Sequence, residues 1–128
     1  MIVVVAAVIE ANERFLITRR QPGVHLAGLW EFPGGKIDSG EGHAAALMRE
    51  LKEELDVAVE VGERLYRTVH AYEDRHVELH FYRCGLKGEP RPVLGQQMRW
   101  VSRDELRSLG FPPADGELIE LLTKSGGR

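Results

Sequence analysis

Residues 2–9, Ile-Val-Val-Val-Ala-Ala-Val-Ile, are apolar without a break. A strand with one face in water alternates polar and apolar side chains, and this run has no polar face to offer. It is expected as a central strand covered on both faces, which asks for a layer on each side of a sheet. The run is too short to span a bilayer. No basic segment precedes it, and the acidic stretch that follows does not resemble a signal-peptide cleavage site. The chain is therefore expected to work in the cytoplasm, away from membranes. The lone Cys84, close to Phe81 and Tyr82, agrees with a reducing compartment and reads as a small buried hydrophobe.

At 128 residues the chain is expected to form one domain, residues 1–128. After a turn near Asn12, Phe15–Arg20 reads as a second strand. Gln21 to Gly35 reads as a long loop broken by Pro22, Gly23, Gly28, Pro33 and Gly34, and loops of that length usually carry function. A helix is expected from about Gly42 to Leu55. Two strands follow over 57–74 and 75–86, joined near Asp74, with Val77, Leu79 and Phe81 in alternation. Residues 87–97 read as loop and 98–102 as a short strand. Ser102 and Glu105 have the spacing of a capping box opening a short helix. A proline-rich turn, a last helix and a frayed tail at 125–128 complete the chain. Strands and helices interleave, so the class is α/β or α+β, with two helical layers around one sheet.

The expected helix contains Arg49-Glu50-Leu51-Lys52-Glu53-Glu54. At helical periodicity Ala44, Met48, Leu51 and Leu55 share a stripe that should face the core. Glu50, Glu53 and Glu54 share another at i, i+3 and i+4, where like charges repel. Most charge runs are solvated faces, but those mix signs at i,i+4. Here three acids converge, Lys52 turns elsewhere, and only Arg49 can neutralise part of the charge. Three carboxylates on one face suit a hard divalent cation such as Mg²⁺, which would remove the repulsion. Gly34-Gly35, ahead of the helix, lets the backbone approach a ligand closely, although a double glycine alone is more often a turn. With 17 basic and 20 acidic side chains the net charge is −3. That lacks the basic footprint of a binder of polymeric nucleic acid, but leaves room for a small phosphorylated ligand that brings its own metal.

In this pattern the chain resembles the Nudix box, G-x5-E-x7-R-E-U-x-E-E-x-G-U, where U is a bulky aliphatic residue. Gly35, Glu41, Arg49, Glu50, Leu51, Glu53, Glu54 and Val57 match it in spacing. Asp56 stands where the box has Gly, and Asp is a tolerated left-handed residue, so a small stability cost is expected. "FLITRR", "LWEFPGGK", "DRH", "GQ" and "FPPA" further resemble the MutT-type branch of nucleoside triphosphate pyrophosphohydrolases, over about residues 3–122. The resemblance implies a Nudix fold, a mixed β-sheet sandwiched between α-helices. It implies attack of water on a triphosphate, giving monophosphate and pyrophosphate, with Mg²⁺ or Mn²⁺ held by the Gly35 carbonyl, Glu50, Glu53 and Glu54. Glu41 and Arg49 would hold helix and loop together. This branch often has a further Glu before the Trp strand; Gln96, Gln97, Met98 and Arg99 stand there instead, which leaves Glu50 as the leading general base. The expected substrate is 8-oxo-dGTP or a related modified nucleotide. The alternatives are (d)CTP, another nucleoside diphosphate derivative, or a non-catalytic binding module, against which the intact acid set argues. A monomer or weak homodimer is expected.

Other residues carry two readings each. Arg20 either binds phosphate or is an exposed strand-end charge. Arg99 either contacts phosphate or lies on the surface. Trp30, Phe32 and Phe111 either border the substrate or pack the core. The five histidines lack metal-ligand spacing and read as structural or surface; His25, in the long loop, is kept with Arg20, Phe32, Gly34 and Asp115 as substrate-binding candidates. Asp115 follows the rigid Pro112-Pro113 turn. It either caps the last helix or reads the base. MutT-type enzymes that prefer oxidised guanine carry Asn after "FPPA", and a related cytidine-preferring branch carries a similar "PAD". An ionised Asp only accepts hydrogen bonds. It would favour the cytosine 4-amino group, or N7–H, N1–H and the 2-amino group of 8-oxoguanine, over guanine O6 and N7.

Overall fold

A computed structural model describes residues 1–125. Strand β1 (Ile2–Ala11) is followed by β2 (Arg14–Arg19), β3 (Trp30–Glu31), β4 (Gly34–Lys36) and α1 (His43–Leu55). Then come β5 (Val59–Tyr72), β6 (Arg75–Leu86), β7 (Met98–Ser102), α2 (Arg103–Ser108), a 3₁₀ turn (Pro113–Asp115) and α3 (Gly116–Ser125). The strands form one seven-stranded sheet in the order β3-β2-β1-β6-β5, with β4 also on β1 and β7 on β2. Only β1 and β6 run parallel, which makes the sheet mixed.

The unbroken apolar run does what its composition requires. Val5, Ala7 and Ile9 point into one core with Leu16, Leu47, Leu51 and Leu55, under α1. Ala6 and Val8 point into the other with Phe15, Ile17, Phe81 and Leu118, under α3. Each fully buried Val, Ile or Leu contributes about 1.5–3 kcal/mol relative to exposure, so β1 ties both helical layers together. The capping box at Ser102 and Glu105 is formed.

Three features differ from the sequence expectation. First, the Gln21–Gly35 loop contains β3 and β4, strands too short to show a period-2 pattern. Second, α1 is rotated: its buried residues are Ala46, Leu47, Leu51 and Leu55, whereas Ala44 and Met48 are exposed. Residues 44–48 are all apolar, so periodicity alone admits two stripes, and the row Leu47–Leu51–Leu55 is the one that packs on Val5, Ala7 and Ile9. Third, the 87–97 loop folds against the end of α1. The N–H groups of Arg91 and Val93 reach the carbonyls of Leu55 and Glu54 at 2.9 and 3.3 Å, and the Gln96 side-chain amide reaches Glu54 O at 3.1 Å. Carbonyls that a helix end leaves unpaired are thereby satisfied. Asp56 adopts the expected left-handed conformation (φ 51°) and pairs with Lys52 and Arg91. The expected frayed tail falls, apart from Ser125, outside the described residues. Among the described residues no helix is long and apolar enough to cross a membrane. Cys84 is buried, and burial pushes its thiol up to about 11, which keeps it protonated and inert.

Strand β4 is fixed by a close approach. A Cβ on Gly34 would lie 2.0 Å from the Val5 carbonyl oxygen and 2.7 Å from the Ala6 Cα. Both are backbone atoms of a strand buried on both faces and cannot give way. Gly34→Ala is expected to cost about 3 kcal/mol in urea denaturation. A loss below about 1 kcal/mol would mean that β4 can lift off β1.

Candidate active site

Gly34 and Gly35 pair with Ala6 and Val5 at the sheet edge where α1 passes. The Glu50 carboxylate lies directly on Gly35: a Cβ there would stand 2.4–2.5 Å from its carbon and both oxygens. Only glycine leaves room for this acid beside the backbone. One turn on, Glu54 is hydrogen-bonded to Glu50 and receives the Gly34 N–H. Burial, reinforced by the charges of Glu31 and Glu50, pushes the Glu54 carboxyl up to about 9. The Glu54 carboxyl therefore keeps its proton, directed at Glu50 one turn earlier.

The rotation of α1 explains which acids turn inward. Glu50 and Glu54 continue the row of the buried Ala46, next to the Leu47–Leu51–Leu55 row. Glu53 lies off it, with a side chain 58% exposed, and pairs with Arg49 at 3.3 Å. The convergence expected for three carboxylates is thus realised by Glu50 and Glu54, with Glu53 at the rim.

Arg49 ties this arrangement to the preceding loop. Its Nε and Nη2 donate to the two oxygens of Glu41 at 2.7 and 2.9 Å, a bidentate pair. Nη2 also reaches the Lys36 carbonyl at 3.0 Å, and Nη1 reaches Glu50 at 3.0 Å. Glu41 in addition accepts the Asp38 N–H at 2.9 Å. These bonds, the Arg49 pair first, hold the Glu41 carboxyl down at about 2. Arg49 therefore joins helix, strand β4 and loop, and aims Glu50.

Among the described residues no three acids, histidines or cysteines already stand at metal-ligand separation. The donor set nonetheless fits a hard divalent cation. It is all oxygen, it has a backbone stretch at Gly35 open to close approach, and its acid pair carries a proton that a cation would displace. Glu53, paired with Arg49 at the rim, is the nearest further acid on the helix.

A cavity of about 220 Å³ leads from Gly34–Gly35 to Asp115. Asp115 is 3% exposed, and its carboxylate makes no hydrogen bond among the described residues. It does not cap α3, because the 3₁₀ turn runs through it into Gly116. Burial, followed by the charge of Glu31, pushes it up to about 7 against the pull of Arg20. A carboxyl raised this far holds its neutral form near neutral pH alongside the ionised, purely accepting one. A neutral carboxyl also donates.

Arg20 is not an exposed strand-end charge. It pairs with Glu31 at 2.6 Å and donates to the His25 carbonyl at 2.6 Å, both half-buried. The His25 ring stands edge-on to Tyr72 at 4.9 Å, and its buried Nε2 has no partner. Phe32 borders the cavity, but its ring is stacked on Phe111 at 5.5 Å and meets Phe81 edge-on, so both Phe32 and Phe111 belong to the core. Trp30 is also buried, with the Arg19 and Arg99 guanidiniums 5.7 and 5.5 Å from its ring. Arg99 pairs with Glu105 and lines neither the cavity nor the acid site. Sequence reasoning passed over Glu31, which touches Arg20 and lies electrostatically between Glu50, Glu54 and Asp115. One signal was available: it is the lone acid in the otherwise uncharged "LWEFPGG".

A NUDIX domain profile matches residues 4–121. An 8-oxo-dGTP diphosphatase of Escherichia coli (strain K12) is 36% identical over 114 residues, 88% of this chain and 88% of the relative. A CTP pyrophosphohydrolase of the same organism is 36% identical over 121 residues, 94% of this chain and 90% of the relative. The solution structure of the E. coli ORF135 protein matches with a TM-score of 0.86 at 34% identity, covering 99% of this chain and 91% of that one. The crystal structure of a MutT NUDIX hydrolase from Burkholderia pseudomallei matches with 0.83 at 30% identity, covering 92% and 95%. A profile that spans most of the chain, with relatives above 30% identity over nearly all of it, shows the lineage: the chain belongs to the NUDIX domain family.

Proposed function

We propose that the chain hydrolyses nucleoside triphosphates to monophosphate and pyrophosphate, in a divalent-metal-dependent reaction, and that it clears modified nucleotides, 8-oxo-dGTP first among them. The observation that carries this reading is one cavity lined both by Gly34 and Gly35, on which the α1 acids lie, and by the buried, unpartnered Asp115. A base seated against Asp115 would bring its phosphates to the acids.

NUDIX hydrolases use divalent metal ions, and Mg²⁺ is the ion proposed here. Glu50, Glu54, Glu53 and the Gly35 carbonyl would hold it. When bound, the ion neutralises phosphate charge and lowers the pKa of water. Glu50 accepts a proton from the attacking water as its oxygen bonds to phosphorus and the bridging P–O bond breaks; the electron pair leaves with the departing phosphate oxygen. Arg49 keeps Glu50 on Gly35 during this transfer, and Glu41 keeps Arg49 in place. Arg20 and Glu31 form the wall between base and phosphates, with His25 and Phe32 bordering the base and Gly34 the phosphates. A cytoplasmic protein without polymeric nucleic acid or membrane partners, monomeric or weakly dimeric, is part of the same proposal.

Asp115 and Glu31 favour bases with donors on the edge they face. 8-Oxoguanine has N7–H where guanine has an acceptor. Cytosine, through its 4-amino group, is the second reading, favoured by the same two acids and by the similarity to the CTP pyrophosphohydrolase. The test is kcat/KM with Mg²⁺ for 8-oxo-dGTP, dCTP, 5-methyl-dCTP and dGTP, beside a nucleoside diphosphate sugar and a dinucleoside polyphosphate. The reading expects a triphosphate other than dGTP at the head of the ranking. A diphosphate sugar or dinucleotide at the head would overturn it, and turnover of none would make the chain a binding module.

A further inference from the structure

The β5–β6 hairpin forms one wall of the base cavity. Tyr72 ends β5 opposite Arg75 in β6, and His70 lies opposite Val77. Strand alternation puts Tyr72 on the face of Val77, Leu79 and Phe81, and all four line the cavity. The Tyr72 ring meets two imidazoles, His70 at 4.4 Å and His25 edge-on at 4.9 Å, and this packing fixes where its hydroxyl points.

That hydroxyl is directed at the start of the last turn. It receives the N–H of Ala114, the residue before Asp115. Burial, joined by the charge of Asp115, raises the hydroxyl above the ordinary tyrosine value, so it keeps its proton at neutral pH. Among the described residues no acceptor takes that proton. The buried Asp115 carboxylate beside it is without a partner as well. The cavity thus presents an O–H donor next to a carboxylate acceptor, both unused within the protein. An acceptor alone does not suit the base proposed above. In 8-oxoguanine N7–H lies between the carbonyl oxygens O6 and O8, whose lone pairs repel a carboxylate. A donor beside the carboxylate replaces one of those repulsions with a hydrogen bond. Cytosine asks for the same pair, since its 4-amino group adjoins the acceptor N3. Guanine shows two adjacent acceptors, O6 and N7, and leaves an ionised Asp115 with nothing to accept.

We propose that Tyr72 is a specificity-determining residue: its hydroxyl donates to the carbonyl oxygen or ring nitrogen that adjoins the N–H taken by Asp115. The inference rests on the proposed function above and narrows its substrates to bases that carry a donor and an acceptor side by side on one edge. The Ala114 N–H holds the hydroxyl oxygen, which leaves the proton to face the ligand.

The experiment is calorimetric titration of wild type, Tyr72→Phe, Asp115→Ala and the double variant with 8-oxo-dGMP, dCMP and the base-free 2-deoxyribose 5-phosphate, with Mg²⁺ in excess. For whichever nucleotide wild type binds more tightly, Tyr72→Phe is expected to raise Kd about fivefold, the loss of one neutral hydrogen bond, and to leave the base-free ligand within about twofold. A tyrosine that merely supports the turn would act through Asp115 alone. Tyr72→Phe should therefore weaken nucleotide binding about as much again in the Asp115→Ala background. No further loss there, an unchanged Kd in Tyr72→Phe, or equal losses for the nucleotide and the base-free ligand would overturn the assignment. Tyr72→Phe keeps the ring and its packing, so the nucleotide-against-sugar comparison decides even where Asp115→Ala fails to fold. Binding is read without turnover, so the two layers of the argument separate. Base-dependent weakening supports Tyr72 even if wild type hydrolyses no triphosphate, a result that counts against the proposed function alone. A wild-type preference for the nucleotide that survives Tyr72→Phe removes Tyr72 alone.

Discussion

Glu50→Gln is expected to lower kcat about 10³-fold with the fold intact, because one side chain then loses both a metal-ligand charge and the proton acceptor. The geometry makes Glu50 the acid with least substitute: it lies on Gly35, is bonded by Arg49 and by Glu54, and its side chain is only 14% exposed. Glu53→Gln should fall less steeply, since Glu53 stands at the rim. Stability should move the other way. Glu54 ordinarily ionises near 4.5 and is pushed up to about 9 in the fold. The folded state thus holds a proton that the unfolded chain releases, and metal-free protein loses stability as pH rises from about 4.5 to about 9. Removing the Glu50 charge relieves part of that cost. In EDTA at pH 8 the Tm of Glu50→Gln should exceed that of wild type, whereas added Mg²⁺ should raise the wild-type Tm more. A kcat within tenfold of wild type would remove Glu50 from the chemistry.

The second large effect is at Asp115. Its carboxyl is pushed up to about 7. Above that pH it is a pure acceptor, which favours the N7–H of 8-oxoguanine and repels guanine N7; below it, a neutral carboxyl can donate to guanine. The ratio of kcat/KM for 8-oxo-dGTP over dGTP should therefore rise about tenfold between pH 6 and pH 8, and Asp115→Asn should flatten it. The stability effect has a definite sign. The folded pKa of about 7 lies above the ordinary 3.8, so the favourable contribution is complete below about 3.8 and lost as pH rises through 7. Asp115→Asn should stabilise by up to about 4 kcal/mol at pH 8 and by almost nothing at pH 4. A substrate ratio independent of pH in wild type would place the base elsewhere.

The site was legible where it is local in sequence. Gly35, Glu41, Arg49, Glu50 and Glu54 lie within one loop and one helix, so their spacing goes far toward bringing them together. The buried strand was legible from Ile2–Ile9 because a short, unbroken, Val/Ile-rich run suits a strand covered on both faces. What stayed hidden depends on distant pairing. Glu31 reaches the acids only because β3 pairs with β2, and Tyr72 meets His25 only at the end of the β5–β6 hairpin. Gln96 reaches Glu54 across a loop with no periodic signal. The rotation of α1 was hidden for another reason: five successive apolar residues at 44–48 give no unique stripe, and the choice made by Leu47 and Leu51 against β1 turns Glu53 outward.

The most direct measurement is ³¹P NMR of a reaction mixture of 8-oxo-dGTP, enzyme and Mg²⁺, followed as the triphosphate is consumed. The account predicts a pyrophosphate resonance growing in step with the nucleoside monophosphate, arrested by EDTA and by Glu50→Gln. Orthophosphate growing in step with the nucleoside diphosphate would contradict it.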